Sequence, residues 1–168
     1  SFSSDGDSTD VGNLTVARYG VTGQSSAVSG YTSGGTTASI SDVIGKFSFS
    51  SDGDSTDVGN LTVARYGVTG QSSAVSGYTS GGTTASISDV IGKFSFSSDG
   101  DSTDVGNLTV ARSAVAGQSS AVSGYTSGGY TGSYSDVIDK FSFSSDGDGT
   151  DVGNLTVARR YLAGQQSN

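Results

Sequence analysis

Ser48-Phe49-Ser50-Ser51-Asp52-Gly53-Asp54 is the stretch on which the fold turns, because it returns every 47 residues. Its phenylalanine is Phe2, Phe49, Phe96 and Phe143 in successive copies. Residues 1–47 and 48–94 are identical, residues 95–141 differ at a few positions, and the fourth copy runs through its first 27 residues. A period of this length is the mark of a chain that stacks one small unit, since a single copy has too few apolar groups to bury a core alone.

Outward from the quoted stretch, Ser41–Ser50 alternates. Val43, Gly45, Phe47 and Phe49 fall on one face, and Ile44, Lys46, Ser48 and Ser50 on the other, which is the period of a half-buried strand. Upstream, Gln24–Thr32 reads as a pair of short strands with a turn, closed by the Gly34-Gly35 doublet where positive φ costs nothing. Downstream, Asp52–Asp57 reads as a polar hairpin connection and Val58–Arg65 as the returning strand, with Leu61 and Val63 on one side. Phe47, Phe49, Val43, Leu61 and Val63 are the expected core. No segment carries a 3.6-residue apolar stripe, so the expected class is all-β.

Two repeat architectures suit such a unit: a β-propeller of four-stranded antiparallel blades, and a β-solenoid with coils about half as long. Residues 1–23 and 24–47 share no pattern, so two equivalent coils per period are not visible. The propeller is the expectation and the solenoid the alternative.

Gly30-Tyr31-Thr32-Ser33-Gly34-Gly35, then Asp42-Val43-Ile44 with Phe47, then Leu61-Thr62-Val63-Ala64-Arg65 resembles the order of landmarks in kelch-type propeller blades. Such blades have a strand ending in a double glycine, a strand leading to an aromatic, and a last strand ending near an arginine. The Trp that usually follows the aromatic strand is missing, with Leu61 near its place. The Phe-Ser-Phe-Ser-Ser-Asp-Gly repeats also resemble near-identical repeats of bacteriophage and bacterial proteins, which implies a virion or extracellular setting. Laid on the kelch strand order, residues 1–20 are the last two strands of a blade. Residues 21–67, 68–114 and 115–160 are whole blades, and 161–168 begin a further strand. Because a propeller needs about four blades to close, this count predicts either a homo-oligomer that exchanges strands or a longer parent chain. The start in mid-repeat and the lack of Met agree with a partial or processed product.

Composition narrows the function classes. Cys, Met, His, Trp, Pro and Glu are all absent, which removes disulfides and soft metal ligands. All sixteen acids are Asp, a turn-former whose short carboxylate bonds nearby backbone N–H groups. A net charge of −8 argues against nucleic acid and anionic membrane surfaces as partners, and no apolar run approaches the ~20 residues of a membrane span. Without His, Glu or Cys there is no ordinary general base or thiol nucleophile. Near-identical units would also give their Asp residues like environments, where acid–base catalysis needs unlike ones. The expectation is a protein that is not an enzyme and carries no cofactor.

Three features invite a sharper reading. Asp5, Asp7 and Asp10, repeated as Asp52, Asp54 and Asp57, place hard oxygen ligands close together, as a Ca²⁺ site would; a solvated acidic turn accounts for the same residues and is favoured. Asn13, Asn60, Asn107 and Asn154 match the N-glycosylation pattern, but the repeat copies it automatically and an ordinary outward strand residue is the preferred reading. The copies differ at Ser113, Ala114, Ala116, Tyr130, Gly132, Tyr134 and Asp139, and then at Arg160, Tyr161 and Leu162. These positions are assigned to two connections that emerge on one face of an up-and-down blade. That face, with Tyr19, Tyr66, Tyr130, Tyr134, Arg160 and Tyr161, is the expected binding surface for protein or carbohydrate, since Tyr pairs a rigid ring with a polar tip. The functional expectation is a structural or recognition module that binds weakly and multivalently. A self-assembling subunit that forms rings or filaments is one alternative, and a Ca²⁺-dependent surface adhesin the other.

Overall fold

Each repeat folds from its serines and glycines outward. In the computed structural model, which describes residues 7–165, the first unit forms β1 (Thr22–Ser25), β2 (Ser29–Ser33), β3 (Val43–Ser48) and β4 (Thr56–Asn60). The Ser26 hydroxyl makes the first turn by accepting the Ser29 N–H at 3.0 Å and the Val28 N–H at 3.2 Å. The Gly34-Gly35 doublet ends β2, with φ of +67° and +96°. A Cβ on Gly34 would stand 2.5 Å from the Arg65 carbonyl oxygen, so space as well as conformation demands glycine there.

The pattern repeats in β5 (Thr69–Ser72), β6 (Ser76–Ser80), β7 (Val90–Ser95) and β8 (Thr103–Asn107). It repeats again in β9 (Ala116–Ser119), β10 (Ser123–Ser127), β11 (Val137–Ser142) and β12 (Thr150–Asn154). The result is three four-stranded sheets in sequential order. Every strand pair is antiparallel and lies within one unit. A solenoid would pair strands of successive units in parallel, so the chain is an all-β, propeller-like fold with one sheet per period. The first strands sit side by side at the centre: the Ser25 N–H donates to Ser72 Oγ, the Ser72 N–H to Ser119 Oγ, and Gln24 Nε2 to the Tyr78 carbonyl, each at 3.0 Å.

The core lies between sheets. Tyr31, Ile44 and Leu61 of the first unit close over Phe94 of the second, with Val58 and Phe96 at the margin. Tyr78, Ile91 and Leu108 close in the same way over Phe141 of the third. The alternation read along β3 therefore holds, with Ile44 facing forward and Phe47 backward. Stacked rings reinforce the seam, Tyr31 on Phe96 at 4.9 Å and Tyr78 on Phe143 at 4.8 Å. Lys46 reaches Asp99 at 2.9 Å and Lys93 reaches Asp146 at 2.8 Å along its edge.

Three expectations need correction. The returning strand stops at Asn60, and Leu61–Arg65 runs on as irregular chain. Leu61 is buried while Val63 is 52% exposed, because the two no longer share a pleat. Phe94 and Phe141 are each 4% exposed, but Phe47 and Phe49 are 36% and 55% exposed, since among the described residues no sheet covers the backward face of the first unit. Asp139 is not in a connection at all. It stands inside β11, fully buried, where the other units have Gly45 and Gly92.

Arg65, just after β4, clasps two units together. The backbone carbonyl of Arg65 accepts from the Gly35 N–H of the first unit, while its side chain enters the second and donates from Nη1 to the carbonyls of Gly81 and Val90, each at 2.9 Å. Arg18 and Arg112 repeat this on Gly34 with Val43 and on Gly128 with Val137. Among the described residues Arg112 alone of these arginines has a carboxylate partner, Asp139 at 2.6 Å, and that carboxylate also accepts from the Thr109 hydroxyl at 2.7 Å. The extra side chain fits because the residue opposite it is Gly149, where the second unit has Ser102.

Candidate functional site

The segment linking one sheet to the next passes through the same backbone turn each time. Gly20, Gly67, Ala114 and Tyr161 take φ of +66°, +62°, +53° and +57°. Their peptide groups form a ladder across the units: the Gly67 N–H donates to the Gly20 carbonyl at 3.0 Å, Ala114 to Gly67 at 2.9 Å, and Tyr161 to Ala114 at 2.9 Å. The left-handed turn is what lets each link point its N–H back at the preceding one. Two of the four positions hold a side chain in a conformation that costs a non-glycine residue about 1–2 kcal/mol, and both belong to the copies that depart from the repeat.

Side chains before and beside this ladder surround a groove of about 610 Å³, lined by Tyr19, Tyr66, Thr83, Ile87, Tyr130, Arg160 and Tyr161, with the ladder residues at its base. Pairing between the two variable connections brings them to one place, as in the bridges of Tyr19 with Thr36 and of Ser113 with Tyr130. Tyr134 does not line the groove but stands against Tyr130, ring to ring at 6.4 Å. Arg160 unites the cluster: its guanidinium carbon lies 5.2 Å from the Tyr130 ring centre, 5.4 Å from Tyr134 and 5.1 Å from Tyr161. Among the described residues no carboxylate pairs with Arg160. The six residues assigned to the variable-loop face thus form one cluster, with three rings and a cation at the end where the copies diverge most.

The arginine row behaves differently. Burial pushes the Arg65 guanidinium down to about 10, opposed by the charge of Asp104. Burial also lowers Arg112 and Arg18, opposed by Asp139 at Arg112 and by Asp57 at Arg18. These side chains are structural clasps, fully buried at Arg65 and Arg112 and half-buried at Arg18. Sequence reading placed them as landmarks and missed their burial; the signal was an arginine at one fixed position in a chain with only eight basic residues.

In the acidic loops Asp10, Asp54 and Asp57 accept from backbone N–H groups. Asp10 accepts from the Gly12 N–H at 3.1 Å and Asp57 from the Gly59 N–H at 3.2 Å, both turn contacts. Asp54 reaches across to Asn13, accepting from its backbone N–H at 2.8 Å and its side chain at 3.2 Å. Asp52 stands exposed at the open end of the same series in which Asp99 takes Lys46, and Asp7 is also exposed. Asp5 lies outside the described residues. Among the described residues no three acidic groups come together as a metal cradle.

No protein-family model matches the chain, and no curated protein does. Among solved structures it is similar to YjhT, at 10% identity over 85% of this chain and 54% of that one, with a TM-score of 0.69. At that identity the likeness concerns the fold alone, and the chain spans about half the length of the solved protein it matches.

Proposed function

We propose that this chain is a non-catalytic recognition module, kelch-like in its blades and displayed on a virion or cell surface, whose tyrosine groove binds carbohydrate. The observation that carries the reading is the gathering of Tyr19, Tyr66, Tyr130, Arg160 and Tyr161 around one groove, with Tyr134 packed against Tyr130. Sugar rings present apolar C–H faces that stack on aromatic rings, while phenol hydroxyls and a guanidinium meet their oxygens. Contacts of this kind are individually weak, and repeated loops or clustered copies would raise the avidity without new chemistry. Support for the kelch-like reading is the position of the double glycine after the second strand and of the buried arginine after the fourth. The chain also lacks His, Cys and Glu.

A glycan array probed with the chain multimerised on a scaffold tests this. Binding to a defined set of glycans, lost in Tyr130→Ala and Arg160→Ala with unchanged circular dichroism, is the expected result. An array that stays blank, or binding that both variants retain, overturns the reading.

A further inference from the structure

The seam between units is present twice, and each end of the chain carries one half of a third. At the seams Lys46 pairs with Asp99 and Lys93 with Asp146, which among the described residues leaves Lys140 on the last sheet and Asp52, between β3 and β4 of the first, as the members of the series without an ion pair. The forward face of the last sheet offers Tyr125 and Ile138, half-buried, as the counterparts of Tyr31 and Ile44. The backward face of the first offers Phe47 and Phe49, exposed, as the counterparts of Phe94 and Phe96. The structure therefore shows what each face is shaped to cover: the other face.

We propose that two copies of this chain join head to tail at both ends, closing a two-fold ring of six sheets in which Tyr125, Ile138 and Lys140 of each copy cover Phe47, Phe49 and Asp52 of the other. A ring follows when such a heterologous contact closes on itself.

The joint requires an exchange. Residues 7–18 now lie on the first unit much as 54–65 lie on the second, with Asn13 held by Asp54 and Arg18 by Gly34 and Val43. Residues 148–159 repeat that segment except for Gly149 in place of Ser8. Among the described residues Asn154 bonds no carboxylate, and the Arg159 side chain makes only a local bond to Val157. In the ring Asn154 and Arg159 of one copy take over the bonds of Asn13 and Arg18 on the other. Residues 162–165, of which Gly164 lies against Gly117 and Leu162 against Gly128, yield to β1 of the incoming copy. Hydrogen bonds are conserved and the apolar faces are gained. The incoming segment is also the better held of the two, because 150–154 is already a strand paired to β11 whereas 7–18 has no strand beside it.

Sedimentation equilibrium over a range of concentrations reads the outcome, using variants at the exposed positions Lys140, Asp52 and Phe49. The parent chain should reach twice 16.6 kDa and stop there. Lys140→Asp alone and Asp52→Lys alone should each weaken the dimer by about 100-fold, one like-charge clash at each of two joints. Mixed in equal amounts, these two variants should recover the dimer to within about threefold of the parent, because each joint of the mixed ring pairs opposite charges. Phe49→Asp should abolish it in either setting. A parent chain that stays monomeric to its solubility limit overturns the proposal. So does growth into ever larger species, or a dimer indifferent to all three substitutions.

Discussion

The exchange of Gly92 and Ser102 in the second unit for Asp139 and Gly149 in the third makes a sharp test of how the blades are packed. A Cβ added at Gly92 would stand 2.8 Å from Ser102 Oγ and 3.0 Å from Thr79 Oγ1. Gly92→Asp alone should therefore destabilise the chain by about 1–3 kcal/mol through overpacking. Ser102→Gly alone removes a buried hydroxyl that has no hydrogen-bond partner, so its cost is mainly the entropy of glycine, roughly 0.5–1 kcal/mol. Together the two substitutions recreate the third unit, where Asp139 reaches Arg112 at 2.6 Å. The fully buried Arg65, held down to about 10 by burial, would gain the anion it lacks. At about 1.4 kcal/mol per tenfold change, that lowering corresponds to roughly 3 kcal/mol against the charged guanidinium, which is the most the new pair can offset. Asp loses its own hydration on burial, so the double variant should lie within about 1 kcal/mol of the parent, which puts the coupling between the two sites near 2–3 kcal/mol. Urea unfolding followed by circular dichroism, on the parent, both singles and the double, measures that coupling. A value under about 0.5 kcal/mol, the scatter expected for independent sites, would refute the packing argument.

Other outcomes follow from the same contacts. Gly77→Ala should cost about 1–3 kcal/mol, because its Cβ would fall against the ring of Phe94 and force the buried seam apart; an unchanged denaturation midpoint would show that the ring gives way freely. Ala114→Gly should stabilise by about 0.5–1 kcal/mol by relieving a left-handed alanine, read as a higher Tm. Burial raises the pKa of Tyr31 and Tyr78 above the ordinary phenol value. The unfolded chain then loses these protons first, so the stability they contribute is intact below pH ~10 and falls as pH rises through the folded values. A spectrophotometric tyrosine titration should show these two ionising after the exposed rings, and a single uniform transition at the ordinary value would contradict their burial.

Much of the architecture was legible because the repeat imposes it. The alternation of Val43, Gly45, Phe47 and Phe49 against Ile44 and Lys46 tells which side of β3 meets which neighbour, since pleated side chains alternate whatever surrounds them. The double glycine marks the end of β2 through a backbone requirement that is local. Variation between copies drew attention to the tyrosines and Arg160, because departures from a copied unit are departures from a common environment. The strand through Leu61 and Val63 was overextended, as its end is set by Leu61 N–H turning to the Asp42 carbonyl, a bond to a residue nineteen positions away in sequence.

What the sequence by itself determined is the repeating unit: its strands, its turns and the two faces of its sheet, all dictated by period and local backbone chemistry. What only the tertiary structure decided is which copies of the same residue are buried. Phe47 and Phe94 sit in identical units, yet one is open and the other is core, because burial belongs to the neighbouring sheet and not to the residue. The buried ion pair of Arg112 with Asp139, and the groove where four successive links converge, likewise exist only when units that are far apart along the chain come into contact.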